Sequence, residues 1–233
     1  LVDSLTFDVA LHAGTLVAIL GYFFRDWLGL ARAFFGILGK RRIETLQERM
    51  VVYILLSTIP AAIVGFLLEK TIEGSFRNPG LIVLPLIAVS FLMVYAEKRK
   101  RSSRLLDKLT LKDSLIIGCA QALALLPGVS RSVITITTGL LRGYEREAAT
   151  RFSFLLSTPI IAGAAVLHLR HLLDPGAVTE WSIFTIGFAA SAVVGYLSIA
   201  LLLRYLQRHT LNLFAGYRLA LAAVVIFWIF WKG

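Results

Sequence analysis

The chain has 233 residues, 58% of them hydrophobic and 16% charged, with a mean hydropathy of +0.78 and a formal net charge of +10. That hydropathy excludes a soluble globular domain, and the basic residues sit in short segments between apolar runs, which argues against nucleic-acid binding. The single cysteine, Cys119, excludes an intramolecular disulfide and a cysteine metal cluster; lying in an apolar run, it reads as inert packing.

The chain is therefore read as an all-α polytopic membrane protein. It opens on Leu1-Val2-Asp3-Ser4, with neither an initiator methionine nor the charged n-region of a signal peptide, and is expected to start after a missing segment. Apolar stretches long enough to span a bilayer run at 7–24, 50–68 and 81–96, then at 152–169, 183–203 and 211–231, giving about six transmembrane helices. Between the third and fourth lies the segment 113–141, apolar but interrupted by Pro127-Gly128 and then polar at Ser130, Arg131, Ser132, Thr135, Thr137 and Thr138. A broken helix at membrane depth is tolerated only where its freed backbone groups are buried in protein or face a polar cavity, so 113–141 is read as a re-entrant helical hairpin.

Short cytoplasmic loops collect Lys and Arg. With a re-entrant hairpin, 18 of the 24 basic residues fall on one side, in the segments Arg25–Arg49, Lys98–Lys112, Arg142–Arg151 and Arg204–Arg208. The opposite side holds Lys70, Arg77, Arg170 and Lys232. A full crossing by 113–141 would invert the later loops and shrink that asymmetry. The basic run Lys98 to Arg104 reads most simply as a topology anchor, with an anionic-lipid site as the alternative.

Under this topology residues 1–233 form one membrane domain of two repeats, 1–112 without a hairpin and 113–233 with one. The run Phe7-Asp8-Val9-Ala10-Leu11-His12-Ala13-Gly14-Thr15 weakly echoes Phe152-Ser153-Phe154-Leu155-Leu156-Ser157-Thr158-Pro159-Ile160. Repetition between halves of opposite orientation marks an inverted repeat with a binding site where broken helices meet, and on that logic a first hairpin is missing from the start.

Arg131 carries the strongest chemical signal. A charged side chain at bilayer depth costs at least about 3 kcal/mol and needs a partner. An anion fits, because guanidinium gives bidentate hydrogen bonds and a helix restarting after Pro127-Gly128 points free N–H groups at the same place. The alternative is a buried carboxylate partner. Thr135 shares the helix face of Arg131; its hydroxyl either donates to a bound oxyanion or bonds a carbonyl one turn back. Gly128 either lets the backbone approach a ligand or serves as a hinge.

His12 reads as an acid, a base or a structural histidine, and Asp8 as its orienting partner or an exposed residue. Gln121 either caps a cavity or bonds between helices, and Arg218, next to Tyr217, either joins the site or snorkels to the interface. No two carboxylates sit at membrane depth on one helix face: Glu69, Glu73, Glu97, Asp107, Glu145 and Glu147 all fall at loop edges. Phosphoryl transfer usually needs a metal or a base held by such groups, so these residues bind an anion without an evident means to cleave it, and no metal ligands are assigned.

The stretch Pro127-Gly128-Val129-Ser130-Arg131-Ser132 with Thr135, the runs from Phe7 and Phe152, and Tyr217-Arg218 resemble the undecaprenyl-diphosphate phosphatase family of the bacitracin-resistance type. The resemblance covers essentially the whole chain. It implies a multi-pass enzyme of the bacterial inner membrane that removes one phosphate from the C55 isoprenoid diphosphate, recycling the carrier for peptidoglycan, with inverted repeats, two re-entrant hairpins and a site open to the outer face. It implies a polyprenyl diphosphate substrate among membrane lipids, and a homodimer is a further expectation. It assigns Arg131 to clamping the diphosphate, Ser130 and Thr135 to hydrogen bonding it, and Ser132 and Gly128 to shaping the loop; His12, Gln121 and Arg218 are lesser candidates. It also implies Mg²⁺ or Ca²⁺, with ligands mainly from the family's glutamate-rich first hairpin, which this sequence lacks. A lipid-diphosphate transporter or flippase is the rival reading, because half-helices meeting at the midplane also build transporters.

Overall fold

The computed structural model describes residues 4–75, 80–99, 103–172 and 181–232. Among them stand nine α-helices and no strand: α1 (Ser4–Tyr22), α2 (Phe24–Lys40), α3 (Leu46–Ser75), α4 (Gly80–Arg99), α5 (Leu111–Ala122), α6 (Arg131–Leu141), α7 (Arg146–Leu172), α8 (Trp181–Leu206) and α9 (Asn212–Lys232). The chain is all-α and polytopic. Leu46–Leu68, Gly80–Arg99, Trp181–Leu206 and Asn212–Trp231 are each long and apolar enough to cross a membrane, whereas the apolar part of α1, Val9–Tyr22, is shorter. The expected span 152–169 falls on α7, whose 27 residues rise about 40 Å. Among the basic residues used to orient the chain, Arg77, Lys100 and Arg101 lie outside the described residues, as do the side chains of Lys70, Arg170 and Lys232.

Two compact units emerge, and each takes segments from both expected repeats. The first comprises Leu1–Val51 and Phe154–Tyr205, the second Val52–Ser153 and Leu206–Gly233. In the first, α1 meets α8 along small residues. A Cβ on Gly14 would stand 2.5 Å from the Phe188 carbonyl oxygen, one on Gly187 2.9 Å from the Phe7 ring, and one on Gly195 3.0 Å from Ala18. Gly187, Ser191 and Gly195 recur every four residues, the spacing that lets membrane helices approach closely. Ser191 crosses that seam and donates to the Leu11 carbonyl at 2.7 Å. α2 lies where sequence reasoning placed only a charged loop; its apolar residues recur at helical spacing among the arginines, a pattern obscured by the search for full spans.

In the second unit the segment between α4 and α7 is a hairpin of two half-helices. α5 and α6 have 12 and 11 residues, about 18 and 16 Å long, and neither alone crosses a hydrocarbon core of about 30 Å. Their outer ends meet. Asp113, in the first turn of α5, accepts from Arg142 Nε at 2.6 Å and from the Tyr144 hydroxyl at 2.6 Å, both just past the end of α6. Arg104 Nη1 lies 2.9 Å from the same carboxylate, and its guanidinium sits 4.4 Å over the Tyr144 ring. The Arg104 N–H donates to the Gly143 carbonyl, and its own carbonyl accepts from Glu145 N, each at 3.0 Å. Entry and exit are thus bound at one point, which is what re-entry requires. Thr110 caps α5, accepting from Asp113 N at 3.1 Å and donating to Asp113 Oδ2 at 2.8 Å.

A second carboxylate works beside the first. Glu97, at the end of α4, takes a bidentate pair of bonds from Arg146 of α7 at 2.9 and 2.6 Å and another from Leu211 N, which leads into α9, at 2.9 Å. Arg104, Arg142 and Arg146 therefore have structural partners beyond their value as topology signals. Cys119 is exposed rather than packed, a correction with a simple cause: it lies on the side of α5 away from Gly118, which rests against the Ser57 backbone of α3.

Burial would raise the Asp113 carboxyl pKa, but hydrogen bonds from Tyr144, Arg142, Thr110 and Arg104 outweigh it and hold the value at about 2, against an ordinary 3.8. Burial, reinforced by Asp113, pushes the Tyr144 hydroxyl up. The Asp113 shift corresponds to about 2 kcal/mol of stability that is complete above pH 3.8 and lost as pH falls through 2. Thermal melts of the purified protein should therefore keep this contribution from neutral pH to about 4 and lose it in more acid solution. Asp113→Asn should lack that acid limb and be about 2–4 kcal/mol less stable at neutral pH.

Candidate functional site

The bend of the hairpin is built to expose one helix end. After α5 a short 3₁₀ turn, Leu123–Leu125, runs into Leu126, Pro127 and Gly128. Gly128 has φ +89, and a Cβ there would meet the Ile82 carbonyl oxygen of α4 at 2.6 Å, so both conformation and space call for glycine. Val129 is 3% exposed and packs with Val89 and Ile134, pinning the bend to α4 and α6. Ser130 then takes φ 66 and ψ 117, a strained conformation for a residue with a side chain. It occupies the N-cap of α6, yet its hydroxyl makes no capping bond. The first helical bond joins Ile134 N to the Ser130 carbonyl at 3.1 Å, leaving the N–H groups of Arg131, Ser132 and Val133 without carbonyls inside α6.

Arg131 stands at this end. It is half-buried, and no hydrogen bond or ion pair engages its guanidinium among the described residues. The alternative of a buried carboxylate partner is thus unfilled: Asp113 and Glu97 are taken by Arg104, Arg142 and Arg146. Ser130 is exposed and Ser132 half-buried. Three N–H groups without helical partners, a guanidinium and two serine hydroxyls belong to the first residues of one helix, a donor set suited to a phosphate or diphosphate.

Thr135 is differently employed. It is 1% exposed and donates to the Arg131 carbonyl at 2.8 Å, and its oxygen lies 2.6 Å from the Ser153 hydroxyl of α7. That matches the reading in which the threonine bonds a carbonyl one turn back. Ser153 belongs to a run quoted for its resemblance, but nothing in the sequence pairs it with Thr135.

Arg218 does not snorkel. It is 7% exposed on α9, and its Nη2 donates to the Gly128 carbonyl at 2.7 Å. The physical reason is the break itself: a carbonyl freed from helical bonding at membrane depth needs a donor, and Arg218 supplies one. Gln121 is 1% exposed at the end of α5 with neither amide atom partnered, so no second helix takes the bond that interhelical glue requires. The hydroxyls of Thr137 and Ser57 are buried and unpartnered as well. His12 is exposed on α1, in the first unit; Ser130, Arg131, Ser132, Thr135, Gly128, Gln121 and Arg218 all belong to the second. Asp8 lies on α1, with its side chain outside the described residues.

The Asp113 cluster was missed in the sequence. Its one visible signal is Thr110-Leu111-Lys112-Asp113, the spacing of a capping box at a helix start. Among the described residues no three His, Cys, Asp or Glu side chains come together as metal ligands.

The family described as bacitracin resistance protein BacA matches residues 2–224. The chain is 44% identical to an undecaprenyl-diphosphatase of Thermodesulfovibrio yellowstonii over 100% of its own length and 84% of the relative's. It is 48% identical to one of Geotalea daltonii, over 97% of this chain and 85% of that protein, and 47% identical to one of Moorella thermoacetica, over 97% and 84%.

Gly128→Ala tests the geometry of the bend. The added methyl must displace Ile82 or the loop, and its φ disfavours a side chain, so a loss of about 1–3 kcal/mol in thermal stability is expected. An unchanged melting temperature would contradict the geometry described for Gly128.

Proposed function

Because the chain belongs to the bacitracin resistance protein BacA family, we propose that it hydrolyses undecaprenyl diphosphate to the monophosphate and inorganic phosphate. The observation that supports this is the start of α6, where Arg131 has no partner among the described residues and Ser130 leaves its own helix uncapped. In the reaction a water oxygen bonds to the terminal phosphorus, the bridging P–O bond breaks with its electron pair leaving on the prenyl monophosphate, and the water's protons pass to solvent and phosphate. Charge repulsion is what such a site has to overcome. Arg131 would bind two oxygens of the diphosphate as a fork, and the N–H groups of Arg131, Ser132 and Val133 would face the same oxygens without reorganising.

The remaining residues position that donor set. Arg218 holds the Gly128 carbonyl, Val129 anchors the bend, and Thr135 ties the first turn of α6 to Ser153. Ser130 is assigned a direct hydrogen bond to the substrate and Ser132 the shape of the loop. Thr135 acts on the substrate through the turn it stabilises, because its own proton goes to the Arg131 carbonyl.

The described residues alone do not bring three His, Cys, Asp or Glu side chains together to hold a divalent cation. The reaction is proposed to depend on Mg²⁺ or Ca²⁺, which the family resemblance implies. The concentration of Lys and Arg in the loops on one side supports a base of the hairpin at the cytoplasmic face of the bacterial inner membrane and a bend toward the outer face. The long prenyl tail would lie among the helices and lipid.

In the intact protein, Arg131→Lys should lower kcat/KM for phosphate release from a polyprenyl diphosphate by about 100- to 1,000-fold, because lysine cannot reproduce the bidentate fork. Thermal stability should stay near that of the parent. Turnover should stop on chelation and return with Mg²⁺ or Ca²⁺. Parental turnover by the lysine variant would refute the clamp, and movement of intact lipid diphosphate between leaflets without phosphate release would favour the transporter.

A further inference from the structure

α2 presents its apolar face away from the protein. Phe24, Leu28, Ala31, Phe35 and Leu38 recur at intervals of four and three residues, which places them on one side of the helix. Phe24 is 63% exposed, Phe35 70% and Leu38 60%. The opposite side carries Gly29, Leu30, Ala33 and Gly36. It is docked on the start of α3: a Cβ on Gly29 would meet the Gln47 amide at 2.8 Å, and one on Gly36 would meet Glu48 Oε1 at 3.4 Å. Glu48 in turn caps α3, accepting from Glu44 N at 2.7 Å and Thr45 N at 2.8 Å. The helix is therefore held by its glycine side, with the phenylalanines outward by construction.

Position along the chain indicates where that face lies. The apolar part of α1, Val9–Tyr22, leads into α2 through one non-helical residue, Phe23. The 17 residues of α2 rise about 25 Å, and α3, itself long enough to cross, begins within six residues of its end. α2 thus ends close to the start of a membrane-crossing helix, which fits a position at the depth of the headgroups. Charge names the partner. Arg25 and Arg32 flank the apolar stripe seven residues apart, and Lys40, Arg41 and Arg42 follow at the C-terminal end, all exposed. The arginines among them form no ion pair among the described residues. Of the nearby acids, Glu48 caps α3 and lies within electrostatic reach of Lys40, Asp26 lies on the side opposite the phenylalanine stripe, and Glu44 is exposed in the loop after Arg42.

We propose that α2 is an in-plane interfacial helix that binds anionic phospholipid, its phenylalanines in the acyl-headgroup boundary and its arginines on lipid phosphates. This goes beyond the diphosphate reaction and does not depend on it.

The test uses the full chain in vesicles of phosphatidylcholine containing phosphatidylglycerol, with bromine on the acyl chains of either lipid in turn. A reporter, F35W, is placed in a chain whose four native tryptophans are replaced by phenylalanine. Brominated phosphatidylglycerol should quench it about twofold more than brominated phosphatidylcholine at equal mole fraction. Substituting Arg25, Arg32, Arg41 and Arg42 by Gln should abolish that preference and leave the phosphatidylcholine quenching in place. Native mass spectrometry of the otherwise unsubstituted protein supplies a second reading, with fewer retained phosphatidylglycerol molecules expected after the same four replacements. Equal quenching by the two lipids, or the absence of quenching by either, would overturn the proposal. So would concentration-dependent crosslinking between copies through F35C, which would assign the face to a second copy of the chain.

Discussion

Asp113 is the interaction on which the second unit depends. A carboxylate with 2% of its side chain exposed survives ionised only if its lone pairs are filled, and Arg104, Arg142, Tyr144 and Thr110 fill them. Two of those donors lie beyond the end of α6 and two before the start of α5. The one anion therefore draws both mouths of the hairpin together, and two half-helices too short to cross must turn back inside the membrane. The depth of Pro127 to Ser132 follows from their length measured from that point.

At the bend the protein satisfies most of what it breaks. Arg218 takes the Gly128 carbonyl, Val129 is buried in a small apolar cluster, and Gly128 accepts a positive φ at no steric cost. What remains unpartnered among the described residues includes the N–H groups at the start of α6 and, nearby in the chain, the Gln121 amide and the Thr137 hydroxyl. Two arginines from distant parts of the chain thus serve one break, and they are used differently: Arg218 is buried against backbone, whereas the Arg131 fork has no partner among the described residues. Two cations beside a helix N-terminus, with the carboxylates bound elsewhere, leave a local excess of positive charge that favours an anionic substrate.

The first unit is held by other means. In α1 and α8 close approach comes from glycine, alanine and serine every fourth residue, since membrane helices gain nothing from hydrophobic burial against each other when lipid is equally apolar. α2 shows the same logic at the surface. Its glycines face α3 and its phenylalanines face out, a pattern that would be an error in water and is stable against lipid.

The sequence by itself determined the membrane class, the positions of the long apolar helices and the broken segment that carries Arg131. Those features are encoded locally, in runs of hydropathy, in a Pro-Gly break and in a charge where none should be. His12 and Gln121 stayed ambiguous because a lone polar residue on an apolar helix carries no record of its neighbours. Asp113, Thr135 with Ser153, and Arg218 with Gly128 were decided only by the tertiary structure. Their partners lie 29, 18 and 90 residues away along the chain, and a hydrogen bond reports which side chains meet in space, something no spacing within a single helix contains.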